Sequence, residues 1–318
     1  MTAATNTQRN VFSLVLASVA LLMLPAIALQ AQTATTRPAD ANDANAVPTT
    51  MPSGQKDLSV DEIVYWTNYR SYYQGKSGRA DVKMSIVDGS GQKRTRQMTI
   101  LRWDQPGPTG KDGKKAEDDK DANAPEDYFT GEQKYYVYFH RPADVAKTTF
   151  LVWKHLGKDD DRWIFFPDLD LVKRISAADK RTSFVGSHFL YEDVSGRNVE
   201  LDKHELIETN KTYFVLRNTP KDPRNVEFKY YVMYIHRGSF LVVQTTYYDK
   251  QGKPYRKYTA KGVKKIQGYP TVVRSRMEDL KTGGYTETEY TEVKYNSGIP
   301  EDIFDKRYLR RPPRKHLD

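Results

Sequence analysis

The feature that most constrains the fold of this chain is a long succession of short segments in which apolar and polar residues alternate. A two-residue period is typical of β-strands with one buried face, and the chain is rich in strand-forming tyrosine, which occurs 22 times. Short turns such as Asp249–Gly252 and Thr282–Gly284 separate neighbouring segments. The pattern therefore predicts an antiparallel meander of about a dozen strands, which is expected to curl rather than remain flat.

The predicted elements begin with a helix, because Ser59 followed by Asp61 and Glu62 is typical of a helix N-terminus. Apolar spacing extends this helix to about Tyr73. The predicted strands are a hairpin carrying Val82, Met84, Ile86, Met98 and Ile100, and then the segments 134–139, 148–155, 162–166, 171–175, 205–208, 213–217, 228–236, 240–248, 255–266, 271–278 and 285–295.

Three stretches have compositions that do not indicate a packed core. Residues 1–31 combine Arg9 with an apolar run from Phe12 to Ala28 and small residues for cleavage, which predicts a secretory signal peptide. Residues 32–57 are rich in Thr, Ala, Pro, Asp and Asn and predict a disordered linker. Residues 104–127 predict a disordered insertion within one domain that spans residues 58–318.

Composition excludes several classes of function. The chain has no cysteine, so it cannot form a disulfide framework, a thiolate metal site or a lipid-modified N-terminal cysteine. The formal charge of +9 is compatible with anionic lipid or an acidic partner, although a scattered, solvated basic surface is the simpler explanation. Nucleic acid is not expected as a partner, because the chain is predicted to be exported and has no recognised nucleic-acid motif.

The chain shows no recognisable catalytic or metal-binding pattern. Its six histidines do not have the spacing of a helical metal site, and Gly186-Ser187-His188 lacks the flanking glycines of a nucleophile elbow. The simpler interpretation is that Gly186 makes a turn and that Ser187 caps a short helix running through Glu192. The carboxylate pairs, including Glu192-Asp193, are interpreted as solvated turns. No catalytic residue, metal or cofactor is therefore predicted.

A stretch near the middle of the chain carries a family resemblance. Between Trp163 and Asp193 it reads WIFFPDLDLVKRISAADKRTSFVGSHFLYED, and HRPADVAKTTFLVWK precedes it at residues 140–154. These motifs resemble the Lol-type lipoprotein carrier superfamily, and within it the outer membrane lipoprotein-sorting branch. The chain departs from the pattern at His188, where the branch has Asp, and at Thr149, where a small residue is usual.

The resemblance implies a mainly β (α+β) fold, in which a long antiparallel sheet is rolled into an incomplete β-barrel and short helices form a lid. It also implies a non-enzymatic, monomeric, periplasmic protein that carries acylated lipoproteins or other lipids between the inner and outer membranes and is peripheral to the membrane. A resistance–nodulation–division-type inner-membrane transporter is the implied partner. The alternatives are a lipid- or protein-sensing regulatory domain of the same fold, which would act with a membrane transporter or signalling protein, and a hydrolase using Ser187.

The candidate site is the hydrophobic interior of this half-barrel. Its apolar residues are predicted to line the cargo cavity and lid, although the sequence does not distinguish a cavity lining from an ordinary core. They are Met84, Ile86, Met98, Ile100, Trp153, Trp163, Phe165, Phe184, Phe189 and Tyr191. Lys173 and Arg174 are predicted to contact anionic head groups or a protein partner.

Overall fold

The computed structural model describes residues 58–105 and 132–317, which contain a single sheet of thirteen strands. The predicted signal peptide, the linker and all but Asp104 and Gln105 of the predicted insertion lie outside the described residues. The strands are β1 Ser77–Val87, β2 Lys93–Asp104, β3 Gln133–Arg141, β4 Thr149–Lys154, β5 Asp161–Phe166, β6 Leu171–Ile175, β7 Asp202–Thr209, β8 Tyr213–Pro220, β9 Phe228–His236, β10 Val242–Asp249, β11 Pro254–Ile266, β12 Tyr269–Asp279 and β13 Tyr285–Tyr295. Asp104 is the last residue of β2.

The sheet consists of two antiparallel meanders that meet at its centre. The strand order is β6-β5-β4-β3-β2-β1-β13-β12-β11-β10-β9-β8-β7, so β1 pairs with β13 and places Val82 opposite Tyr290. Strands β6 and β7 form the two free edges, and the sheet is not closed into a barrel. This arrangement confirms the predicted fold class, because short turns favour pairing between sequence neighbours.

Three α-helices accompany the sheet in the described ranges, and none is long and apolar enough to cross a membrane. They are α1 Val60–Asn68, which continues as a π-helical turn Tyr69–Tyr73, α2 Tyr191–Ser195 and α3 Arg307–Arg310. The predicted N-terminus of α1 is confirmed: the Ser59 backbone N–H donates to the Glu62 carboxylate over 2.7 Å, and Glu62 N–H donates to the Ser59 hydroxyl. Ile63 is buried and packs α1 against β8 and β9.

One face of the first meander is covered by the C-terminal segment, residues 299–317. We call this face the outer face. Its cluster includes Trp163 and Phe165, with Trp153 packed against it. The Trp153 indole N–H donates to the Phe304 carbonyl over 2.8 Å, and the Thr149 hydroxyl donates to the Leu309 carbonyl over 2.8 Å.

This packing corrects part of the sequence prediction. Trp153, Trp163 and Phe165 were expected in the cargo cavity but lie in the core beneath the C-terminal segment. Strands β4 and β5 are buried on both faces, with burial interrupted only near their ends. Alternation of apolar and polar residues shows which face of a sheet a residue lies on only when one of the two faces is exposed to water. Both faces of β4 and β5 are covered, so the alternation did not indicate the face on which these aromatic residues lie.

The opposite, inner face is covered by residues 176–201, which connect the two edge strands and which we call the lid segment. Phe184 of the lid segment is 2% exposed, and its ring centroid lies 5.3 Å from that of Phe150 and 5.8 Å from that of Phe139. The same cluster contains Met84, Ile86, Met98 and Tyr191. The lid segment is therefore held by a hydrophobic core of its own on the inner face of β1–β4.

The predicted helix around Ser187 is wrong in its position. Gly186 does make a turn, with a φ of 73°, but Ser187 does not cap a helix. Its hydroxyl accepts from the Phe189 backbone N–H over 3.2 Å, inside a small loop closed by a bridge between Ser183 and Leu190. Helix α2 begins only after this loop.

Candidate functional site: a cavity under the lid segment

A cavity of about 410 Å³ lies between the inner face of the sheet, the α1 region and the lid segment. Its apolar wall includes Val64, Ile100, Phe189, Val194, Leu216, Met233, Val242 and Met277. Tyrosines contribute much of the remaining wall, namely Tyr72, Tyr135, Tyr231, Tyr247, Tyr258, Tyr290 and Tyr295. The wall residues that lie on strands come from both meanders, so the inner face of the sheet curves around the cavity.

The tyrosine hydroxyls of the wall are neutral at physiological pH. Burial raises the pKa of Tyr247 to about 12 and raises the pKa of Tyr258 and Tyr290 above the ordinary value. An apolar wall with a few neutral hydroxyl groups is typical of sites for small hydrophobic molecules, and the volume falls within their usual range. The arrangement can shelter an alkyl chain from water without directional bonds.

The structure distributes the predicted cavity residues among three places. Ile100 and Phe189 line the cavity. Met84, Ile86, Met98, Phe184 and Tyr191 form the adjoining core, where Ile100 and Phe189 pack against them. Trp153, Trp163 and Phe165 belong to the outer cluster and do not line this cavity.

Lys173 and Arg174 lie on the edge strand β6, and both are exposed. Arg174 forms an ion pair with Asp161, and 69% of its side chain remains exposed. Neither residue is among those that line the cavity. Their contact with head groups or with a partner remains a prediction.

An arginine of β11 fastens the lid segment to the second meander. Arg256 forms an ion pair with Asp193, and its guanidinium donates to the His188 carbonyl over 3.2 Å. His188 lies at the β13 end of this contact, where its Nδ1 is 2.8 Å from the Thr286 hydroxyl. Burial lowers the pKa of His188, so the neutral ring is favoured. His188, the residue at which this chain departs from the family pattern, therefore serves as a hydrogen-bond partner for β13.

A second group of ion pairs holds both halves of the lid segment. Arg181 pairs with Glu192 and with Glu227, the latter at 2.6 Å, while Arg197 pairs with Asp202 at 2.9 Å. Burial opposes ionisation of Glu227, but hydrogen bonds and the charge of Arg181 lower its pKa to about 2. Glu192 is almost fully buried, so the interpretation of Glu192-Asp193 as a solvated turn is wrong.

The end of the cavity near β2–β4 is closed by another polar group. Arg102 donates to the backbone carbonyls of Tyr72 and Gly75, each over 2.6 Å, and forms an ion pair with Asp104 at 3.1 Å. Lys154 donates to the Ser195 carbonyl at the end of α2 over 2.7 Å. Burial raises the pKa of Asp104 to about 6 and lowers the pKa of Lys154 to about 8. These side chains tie both covering segments to the same strands.

Two arginines that hold the site together, Arg181 and Arg256, were not predicted from the sequence. Each was one basic residue among many in a chain of charge +9, and their carboxylate partners lie up to about 60 residues away in sequence. The arginines occur in the segments DKRTSF and PYRKY, next to aromatic residues. These aromatic neighbours were the signal available in the sequence, because a charged side chain that is buried beside aromatic residues requires a partner of opposite charge.

Ser187, the serine of the hydrolase alternative, forms no nucleophile–base pair in the part of the chain that the structure covers. The Ser187 hydroxyl has hydrogen bonds with the backbone of Phe189 and none with an imidazole or a carboxylate. No group of three or more metal-ligating side chains occurs among residues 58–105 and 132–317. The geometry of the site is that of a binding cavity.

Comparisons with known proteins identify the fold. A family model described as "Uncharacterized protein" matches residues 131–311, more than half of the chain. No curated protein matches the chain. The resemblance to the Lol-type lipoprotein carrier superfamily is confirmed by two crystal structures, and a third shares the fold.

The first structure is a DUF1329 family protein from Desulfovibrio piger, which is 26% identical with a TM-score of 0.65; the match covers 79% of this chain and 97% of that protein. The second is the domain of a putative outer membrane lipoprotein-sorting protein from Vibrio parahaemolyticus, at 25% identity and a TM-score of 0.66, with coverage of 80% and 100%. A LolA superfamily protein from Nitrosomonas europaea, 17% identical with a TM-score of 0.57 and coverage of 79% and 100%, shares the fold.

Proposed function

Since the chain belongs to the family whose model matches residues 131–311 and has the fold of the lipoprotein-sorting proteins, we propose that it is a carrier of acyl chains. It would bind a lipoprotein or another lipid in the cavity under the lid segment and carry it between the inner and outer membranes. The observation that supports this proposal is the apolar, tyrosine-rich cavity of about 410 Å³, which is covered by a segment joined to both edges of an open sheet.

The energetics of such a cavity suit a carrier. Transfer of each acyl CH₂ group from water into an apolar site contributes about 0.8 kcal/mol, so a chain of several carbons is retained without any covalent step. The ion pairs that join the lid segment to the rest of the chain, Asp193 with Arg256 and Arg181 with Glu227, can exchange with water when the segment moves. The proposed cycle is therefore release of these contacts, entry of the acyl chain and closure over it.

The cellular setting of the proposal comes from the sequence and from the relatives. The signal peptide predicted in residues 1–31 would deliver the protein to the periplasm, where it would act as a monomer peripheral to the membrane. An inner-membrane transporter of the resistance–nodulation–division type is the proposed donor or acceptor of cargo. The exposed cations Lys173 and Arg174 on β6 are proposed contacts for that partner or for anionic head groups.

The proposal is tested by native mass spectrometry and lipid extraction of the protein purified from the periplasm of a Gram-negative host. A stoichiometric lipid or acylated peptide is expected, and it would identify the class of cargo. The comparison variant is Phe189→Asp, which places a carboxylate in the apolar wall and is expected to purify empty with an intact sheet. A wild-type protein that purifies empty and takes up no hydrophobic probe would refute the carrier and favour the sensor domain.

A further inference from the structure

The α1 side of the cavity presents two polar side chains of note, a buried hydroxyl without a hydrogen-bond partner and a guanidinium without a carboxylate partner among the described residues. Thr67 and Arg70 are three residues apart on a helical backbone, so they project from the same side, and both line the cavity together with Val64 one turn earlier. Thr67 is 5% exposed, and its hydroxyl has no hydrogen-bond partner. A buried hydroxyl without a partner is uncommon, because its desolvation is not compensated.

Arg70 differs from the other arginines of the cavity wall. Arg79, Arg102 and Arg197 each have a carboxylate at ion-pair distance, at 3.2, 3.1 and 2.9 Å respectively. Arg70 has none among the described residues. Arg70 makes a long hydrogen bond of 3.5 Å to the Gln74 side chain and contacts the face of the Tyr69 ring.

The surroundings of Arg70 agree with an uncompensated charge. Its Nε atom is buried and makes no hydrogen bond. Burial lowers the pKa of Arg70, and this effect is opposed by the hydroxyls of Tyr69 and Tyr269 and by no carboxylate. The guanidinium nevertheless stays charged, because the ordinary pKa of arginine lies far above neutrality. A positive charge is therefore held at the wall of an apolar cavity without a protein anion to match it.

We propose that Thr67 and Arg70 form a subsite for the anionic head group of an amphiphile whose acyl chain fills the apolar part of the cavity. This inference rests on the proposed carrier function and specifies its ligand class. A carboxylate or phosphate oxygen would accept from the Arg70 guanidinium and from the Thr67 hydroxyl, which satisfies both groups at once. The chain would then run along Ile100 and Phe189.

The test compares ligands with the same chain and different head groups. The purified, delipidated protein is loaded with the uncharged fluorescent probe N-phenyl-1-naphthylamine, which is displaced by laurate, dodecyl phosphate or dodecanol at neutral pH. We expect the two anions to displace the probe at least about tenfold more effectively than dodecanol, since hydrogen bonds to charged groups contribute more than neutral ones. The ratio of laurate to dodecyl phosphate distinguishes a carboxylate from a phosphate source.

Two variants and a matched control make the assignment specific. Arg70→Gln is expected to remove the preference for anions while keeping the affinity for dodecanol, and Thr67→Val is expected to reduce the preference by a smaller factor. The control is Lys294→Gln, which removes an exposed cation of the same cavity wall and is expected to keep the preference.

The possible results separate this inference from the carrier function. Equal displacement by dodecanol and the anions in the wild type, or an unchanged preference in Arg70→Gln, overturns the head-group subsite and leaves the carrier function standing. Loss of the preference in Lys294→Gln alone also overturns it, because the charge would then act from the surface. Failure of the wild type to bind the probe or any of the three ligands refutes the cavity function and the subsite together.

Discussion

Two phenylalanines of the lid segment, five residues apart, are predicted to have separable roles. Phe184 lies in the core beneath the lid segment, where its ring also lies 5.6 Å from that of Tyr191. Phe189 is half-buried and lines the cavity. Removal of the first ring is therefore expected to reduce stability, while removal of the second is expected to reduce ligand affinity.

The expected magnitude for Phe184→Ala follows from its burial and contacts. The ring is 2% exposed and contacts three aromatic rings, with centroids between 5.3 and 5.8 Å away. Truncation of a fully buried phenylalanine costs about 3–5 kcal/mol, and part of this cost comes from aromatic pairs that contribute about 0.5–1.5 kcal/mol each. Phe189→Ala loses less burial on folding and is expected to cost about 1 kcal/mol or less.

Urea unfolding followed by circular dichroism measures the first effect, and binding of N-phenyl-1-naphthylamine measures the second. Phe189→Ala is expected to weaken probe binding about tenfold or more, which corresponds to about 1.4 kcal/mol. The control is Leu169→Ala, at an apolar residue that is 72% exposed, where we expect a change of less than about 0.5 kcal/mol in stability. An unchanged unfolding midpoint for Phe184→Ala, or equal destabilisation by both variants, would refute the reasoning.

Three further predictions follow from the buried charges. Because the pKa of Asp104 is raised from 3.8 to about 6, the folded state retains a proton between these pH values that the unfolded state has released. The unfolding free energy of the wild type, measured relative to Asp104→Asn, should therefore fall by up to about 3 kcal/mol as pH rises from about 4 to 6. A difference that stays constant with pH would contradict this prediction. Arg256→Gln should accelerate dissociation of a bound probe in stopped-flow measurements, whereas Arg276→Gln, which breaks an ion pair between β12 and β13, should not. Arg181→Met should destabilise the protein in urea unfolding by less than the about 3–5 kcal/mol of a fully unpaired buried charge, because Glu192 stays buried with Arg197, at 3.3 Å, as its remaining partner; adding Glu192→Gln should restore part of that loss, and equal stability of the single and double variants would argue against the buried pair.

Most of the sheet could be predicted from the sequence because alternation and turn residues are local signals. The segment 285–295, for example, coincides with β13, and Ser59 marks the start of α1 as expected. The pairing of β1 with β13 could not be derived in this way, since it depends on contacts between distant parts of the chain.

The candidate site was harder to predict for a different physical reason. Phe165 and Phe189 both have aromatic and apolar neighbours in the sequence, but the C-terminal segment covers one and the cavity adjoins the other. When both faces of a strand are covered, tertiary packing determines which covering segment lies on which face. The unpartnered hydroxyl of Thr67 was likewise invisible, because only the structure shows which polar groups lack partners.

The pairing at the centre of the sheet has a consequence for how the protein is made. Val82 and Tyr290 are neighbours in the sheet but roughly 200 residues apart in sequence, and contacts of such separation form slowly. During synthesis the β1 edge stays open until the last strand emerges, and an open edge can pair with other chains. The time for which this edge stays exposed is therefore expected to influence the yield of the native protein.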